Sequence, residues 1–144
     1  MALTFSNERG RMVPMNHIES LAQRLRDQGL QHTSYTDAWV AALLNDKFGQ
    51  TKHTLHDANG GYCCLGVAVE ACGFGEFIQD EGNYVYTDSN GIKERVTLTT
   101  RNAMDLFGCD GLRARFLLTS FAAVNDDEDY HFPDIATAIK LATE

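Results

Sequence analysis

Short amphipathic runs alternate with polar breaks along this chain, and most of the runs repeat at the 3.6-residue period of a helix. Ile18, Leu21, Ala22 and Leu25 form one stripe. Asn16 with Glu19 has capping-box spacing and Gly29 is a natural stop, so a first helix is predicted between them. Trp39, Val40, Leu43, Leu44 and Phe48 predict a second helix, started by Ser34 with Asp37 or by Thr36 and ended at Gly49. Leu65, Val69 and Cys72 share one face of a short helix from Leu65 to Cys72, stopped by Gly73. Ala103, Met104 and Phe107 predict another, capped by Thr99 or Thr100 and closed by Gly108. Asp110 caps the next, which runs through Leu112, Phe116, Leu117, Phe121 and Val124. Phe132, Ile135, Ala136 and Ile139 predict the last, with Pro133 in the first turn, where a missing N–H costs nothing.

The period changes between residues 76 and 98. Tyr84, Val85 and Tyr86 precede Ser89-Asn90-Gly91, and Ile92 and Val96 follow. Asn-Gly between two β-prone runs predicts a hairpin. Residues 1–15 read as irregular, with Arg9 and Arg11 as a small basic cluster. The stretch from Gln50 to Tyr62 is polar and ends in Asn-Gly-Gly-Tyr, which predicts a loop with a short strand at Lys52 to Leu55. The sum is an α+β fold, a mostly helical single domain over residues 1–144 with five or six short helices and one β-hairpin. Residues 1–35 form an N-terminal extension with one helix, and residues 36–144 form the core.

Length and charge narrow the function classes. A chain of 144 residues needs neither disulfide nor metal to close a core. The net charge of −8 argues against broad nucleic-acid binding and against docking on anionic lipid. It leaves open a local pocket for a small anion, or an acidic face for a basic protein. No apolar run reaches the roughly 18 residues of a membrane span, and the first residues lack a signal-peptide core. The expectation is a cytoplasmic protein with reduced thiols.

Four constellations carry candidate chemistry. Cys63 and Cys64 adjoin a helix start, where a macrodipole favours a thiolate. A Cys–His enzyme would need an unusual chain order, because His53 and His56 precede the pair and only His131 follows. The cysteines also lack the spacing of a zinc site, so core packing is the expectation, with no catalytic residue, metal or cofactor. The run Asn125-Asp126-Asp127-Glu128-Asp129 lacks the glycine and distal glutamate of a calcium loop and reads as a solvated inter-helix connection. The segment from Gln50 to His56 is the richest in side-chain donors. Gln50, Lys52 and His53 beside Trp39 and Tyr62 predict a pocket for a planar or phosphorylated ligand. Asn125 and Asp126 complete the candidate ligand-binding set.

Three stretches together resemble a family of small, mostly uncharacterised bacteriophage and prophage proteins. They are Trp39-Val40-Ala41-Ala42-Leu43, continuing through Lys47-Phe48-Gly49-Gln50-Thr51 and Leu55-His56-Asp57; Gly61-Tyr62-Cys63-Cys64-Leu65-Gly66-Val67; and Val124-Asn125-Asp126 with Phe132, Ile135, Ala136 and Ile139 beyond it. The resemblance covers Trp39 to about Ile139. It departs at Val124, where leucine is usual, and in a longer acidic loop. It carries no established chemistry. It implies a phage origin, action in a bacterial cytoplasm and interference with host defence or metabolism. The leading expectation is a binder that sequesters a small ligand such as a nucleotide immune signal, with a homo-oligomer as the expected assembly by analogy. The alternatives are an inhibitor that binds a host protein through an acidic face, and a Cys-nucleophile hydrolase.

Overall fold

The computed structural model describes residues 13–144 and, before them, only the backbone of Ser6, Asn7, Gly10 and Arg11. Those four residues make a two-stranded antiparallel pair, β1 (Ser6–Asn7) and β2 (Gly10–Arg11), in a stretch read as irregular. The side chains of Arg9 and Arg11 lie outside the described residues.

Six helices follow. The first, α1 (Met15–Asp27), starts two residues earlier than expected. Pro14 is its N-cap and makes no side-chain bond, so Asn16 is not the cap. Helix α2 (Ser34–Leu43) is capped by Thr33, which exchanges bonds with Thr36 in a capping box. Leu44 lies past its end, half exposed, and Phe48 is outside the helix. Helix α3 (Cys64–Cys72) takes Cys63 as its N-cap and Gly73 as its left-handed close. Thr99 caps α4 (Thr100–Phe107), which closes at Gly108, and Asp110 caps α5 (Gly111–Asp126). Asn125 and Asp126 therefore belong to the last turn of α5 and not to a loop. Helix α6 (Phe132–Thr143) completes the set.

Strand content beyond β1 and β2 is small and falls in two places. Residues Gly49–Gln50 (β3) and Gly61–Tyr62 (β4) pair in parallel, and Lys52 to Leu55 form no strand. The main sheet is β5 (Gly75–Asp80), β6 (Asn83–Asp88) and β7 (Lys93–Glu94), antiparallel, in the order β5-β6-β7. The turn at Ser89-Asn90-Gly91 is present and leads into the short β7. The longer ladder closes at Glu81-Gly82, where both residues have positive φ (52° and 88°), the signature of a type I′ turn.

One core unites these elements. Trp39, Phe107 and Phe121 pack at its centre with ring centroids 4.9–6.1 Å apart, and α1 contributes Ile18, Leu21, Ala22 and Leu25. Helix α3 is buried along Cys64–Val69, so its backbone must lie close to its neighbours. A Cβ at Gly66 would fall 1.9 Å from the Leu55 carbonyl oxygen, so only glycine lets α3 rest on the preceding loop. The expected stripe of α5 is only partly internal. Leu117, Phe121 and Val124 are buried, but Leu112 and Phe116 are 68% and 58% exposed.

Candidate functional site

The carbonyls and amides of the 50–57 loop cannot bond within a regular element, so they need other partners. The C-terminal turn of α5 supplies two of them, for the Thr51 carbonyl and the His53 N–H. Asn125 Oδ1 accepts from Gln50 Nε2 (2.9 Å) and from the Cys64 backbone N–H (3.1 Å). Its Nδ2 donates to the Thr51 carbonyl (2.7 Å) and to Asp126 Oδ1 (2.9 Å). Gln50 Nε2 also donates to the Tyr130 carbonyl, and its Oε1 accepts from the Phe132 N–H that opens α6. The His53 N–H donates to Asp126 Oδ1, with His53 Nδ1 3.5 Å from Asp126 Oδ2, and Lys52 Nζ stands 3.5 Å from Asp129. Five expected site residues, Gln50, Lys52, His53, Asn125 and Asp126, are thus brought together. Each has a hydrogen bond or ion pair within the fold, and Lys52 takes Asp129 as its partner.

The other two lie elsewhere. Trp39 is fully buried, and its Nε1–H donates to the Cys64 carbonyl (2.8 Å), so it presents no face for a ligand to stack on. Tyr62 belongs to an aromatic stack that the residue spacing did not reveal. His56 sits between Tyr62 and Tyr84, each centroid 3.9 Å away and nearly parallel, with Phe77 edge-on. Its Nδ1 is 2.8 Å from the Gly61 carbonyl. A carbonyl only accepts, so Nδ1 carries the proton. Asp57 closes the same loop by accepting from Thr51 Oγ1, the Gly61 N–H and the Asn59 N–H. The Thr51 bond is the largest cause holding its pKa below the usual carboxylate value.

The thiols are tuned away from reactivity. Burial pushes Cys63 up to about 12 and Cys64 well above the ordinary thiol, outweighing the backbone bonds at the helix start. Cys63 Sγ instead accepts from the Gly66 N–H and caps α3, while Cys64 Sγ points to the Phe121 carbonyl. Cys72 is raised to about 12 and faces the Tyr35 carbonyl. No hydrogen bond joins a thiol to a histidine among the described residues. Nor do those residues gather three or more His, Cys, Asp or Glu where a metal could sit.

A concave feature opens one step away. A groove of about 310 Å³ between α2 and α3 is lined by four alanines, Ala38, Ala41, Ala42 and Ala71, and by Asn45, Lys47, Phe48 and Glu70. Its volume is at the low end for a small-ligand site. The signal for it was present in the alanines at i, i+3 and i+4 of α2.

No helix of the described residues is long and apolar enough to cross a membrane. The model of a family described as a domain of unknown function (DUF8296) matches residues 32–143, and the chain belongs to that family. No curated protein and no solved structure matches it.

Proposed function

We propose that this DUF8296 domain works by binding a protein partner on its acidic face, as a phage factor that disables a host protein in the bacterial cytoplasm. The observation that carries the reading is where the polar groups are spent. The side-chain amide of Gln50 and the backbone N–H of His53 are engaged within the fold. The β5–β6 hairpin carries exposed Glu76, Asp80 and Glu81 on the same ribbon as an Ile78 that is 59% exposed, with Arg95 3.4 Å from Asp80 and Lys93 exposed on β7. An exposed apolar side chain flanked by carboxylates along its own strand suits a protein-docking surface. The phage setting rests on the motif resemblance.

The α2–α3 groove favours a second reading, a small ligand. Phe48 offers a ring, Lys47 a cation, Glu70 a carboxylate and Asn45 an amide, which suits a planar polar molecule such as a nucleotide, its base toward Phe48 and its phosphate toward Lys47. Two variants separate the readings when the protein is expressed in a host with an active defence system and phage plating is scored. Glu76→Lys with Glu81→Lys abolishes the plating benefit under the first reading, and Ala41→Trp, which fills the groove, leaves it intact. The reverse pattern establishes the groove, and loss by neither variant refutes both.

A further inference from the structure

We infer that the outer edge of β5 accepts an extended basic segment of a partner protein as an added antiparallel strand; this rests on the acidic-face reading and says how the partner is held. The sheet has two edges. On the β7 side the backbone is already engaged, because Arg95 O accepts from the Leu55 N–H and from Thr54 Oγ1. On the other side β5 pairs, among the described residues, with β6 alone.

The register shows which groups are open. The two-residue turn makes Asp80 and Asn83 the closing hydrogen-bonded pair. Pairing alternates from there, so Ile78 with Val85 and Glu76 with Thr87 also exchange bonds with β6. The N–H and C=O groups of Phe77 and Gln79 therefore face away from β6. No hydrogen bond reaches them among the described residues. A strand presenting such a row is a template for another chain.

Charge selects the occupant. Glu76, Ile78 and Asp80 share one face of β5 and are all exposed; Asp80 has Arg95 3.4 Å away, an exposed pair that an incoming lysine can join or displace. A second copy pairing antiparallel about Ile78 would set Glu76 against Asp80 twice, and like charges directly opposite are destabilising. A strand reading Lys-x-Val-x-Lys places a lysine opposite each carboxylate and an apolar side chain on Ile78.

The probe is a labelled peptide, acetyl-Thr-Lys-Thr-Val-Thr-Lys-Thr-amide, titrated with the full chain by fluorescence anisotropy. Its third and fifth residues would exchange bonds with Gln79 and Phe77. Binding is expected, and it weakens at least about tenfold when those two peptide amides are N-methylated. Gln79→Pro removes an N–H that the internal ladder does not use, and it is expected to weaken binding as much while the melting temperature moves by no more than about 3 °C. The N-methyl peptide keeps the test decisive if Gln79→Pro fails to fold. Binding that survives both changes but falls with Glu76→Lys overturns strand addition and leaves the acidic-face reading standing. A peptide with glutamates for lysines that binds equally well overturns both. A dimer by sedimentation that Gln79→Pro dissolves overturns the basic occupant in favour of a second copy.

Discussion

Asn125 is a single amide serving the loop at Thr51, the side chain of Gln50, its neighbour Asp126 and the start of α3 at Cys64. Truncation to alanine leaves the Cys64 N–H and the Thr51 carbonyl buried without those partners. Asn125→Ala is therefore expected to cost about 2–4 kcal/mol in urea unfolding. Lys52 sits in the same cluster but is half exposed, and its ion pair with Asp129 reaches 3.5 Å across solvent. Lys52→Ala is expected to cost no more than about 0.5 kcal/mol. Equal costs for the two would show that the cluster is not an internal tie. The buried thiols give a second residue-scale prediction. With Cys63 pushed up to about 12 and Cys64 well above the ordinary thiol value, neither sulfur is a thiolate near neutrality. Native protein at pH 8 with iodoacetamide is expected to show no alkylation at Cys63 or Cys64 by peptide mass spectrometry, and alkylation of both after denaturation. Rapid native labelling of either would reopen the nucleophile reading.

At the scale of elements, what could be read in the chain was what local chemistry decides. Thr99 and Asp110 cap their helices, and Gly73 and Gly108 close theirs, because caps and stops act within one turn. Strand β5 escaped notice because Gly75–Asp80 holds only two apolar residues, and they are adjacent, so no alternation marks it. Leu112 and Phe116 fit the helical period yet face outward, since periodicity finds a stripe and tertiary packing decides how much of it is covered. The candidate site was half legible for the same reason. Gln50, His53, Asn125 and Asp126 were recognisable as hydrogen-bonding residues, but Gln50 finds the Tyr130 carbonyl 80 positions along the chain, and spacing cannot say that the partner is internal. The loop that carries Gln50 also yields a pH prediction. Asp57, bonded by Thr51 and two backbone N–H groups, has a folded pKa below its unfolded value of about 4. Its stabilisation is thus present above pH 4 and lost as pH falls through the folded value. Asp88 behaves alike: burial raises its pKa, but the Ile92 and Asn90 N–H groups and Thr99 more than offset that. Asp134 has the opposite sign, because burial raises its folded pKa and its contribution declines as pH rises. Urea melts at pH 6 and pH 3.5 are expected to show lower stability in acid, and a smaller difference for Asp57→Asn. An unchanged difference in that variant would remove Asp57 from the acid response.

Over the whole molecule, the family match begins at residue 32, whereas the core does not. Ile18, Leu21, Ala22 and Leu25 of α1 are buried to 3% exposure or less, and α1 lies along α6. The contact is fastened at its edges by Arg26 on the Leu141 carbonyl and Arg24 on Glu128. Those exposed ties contribute little, so the burial carries the energy. Each large aliphatic side chain buried this way stabilises by roughly 1.5–3 kcal/mol, and three of them with Ala22 sum to on the order of 5–10 kcal/mol. That is comparable with the entire margin of about 5–15 kcal/mol by which domains are folded. Removing α1 would also bare the apolar side of α6 that it covers. A fragment holding only residues 32–143 is therefore expected to lose cooperative thermal unfolding and to bind a hydrophobic dye, while keeping part of its helical circular dichroism. The measurement is a melt of the fragment beside the full chain. A cooperative transition within a few degrees of the full chain's would show that the family region closes its own core, and that α1 is an attachment and not a structural part of the domain.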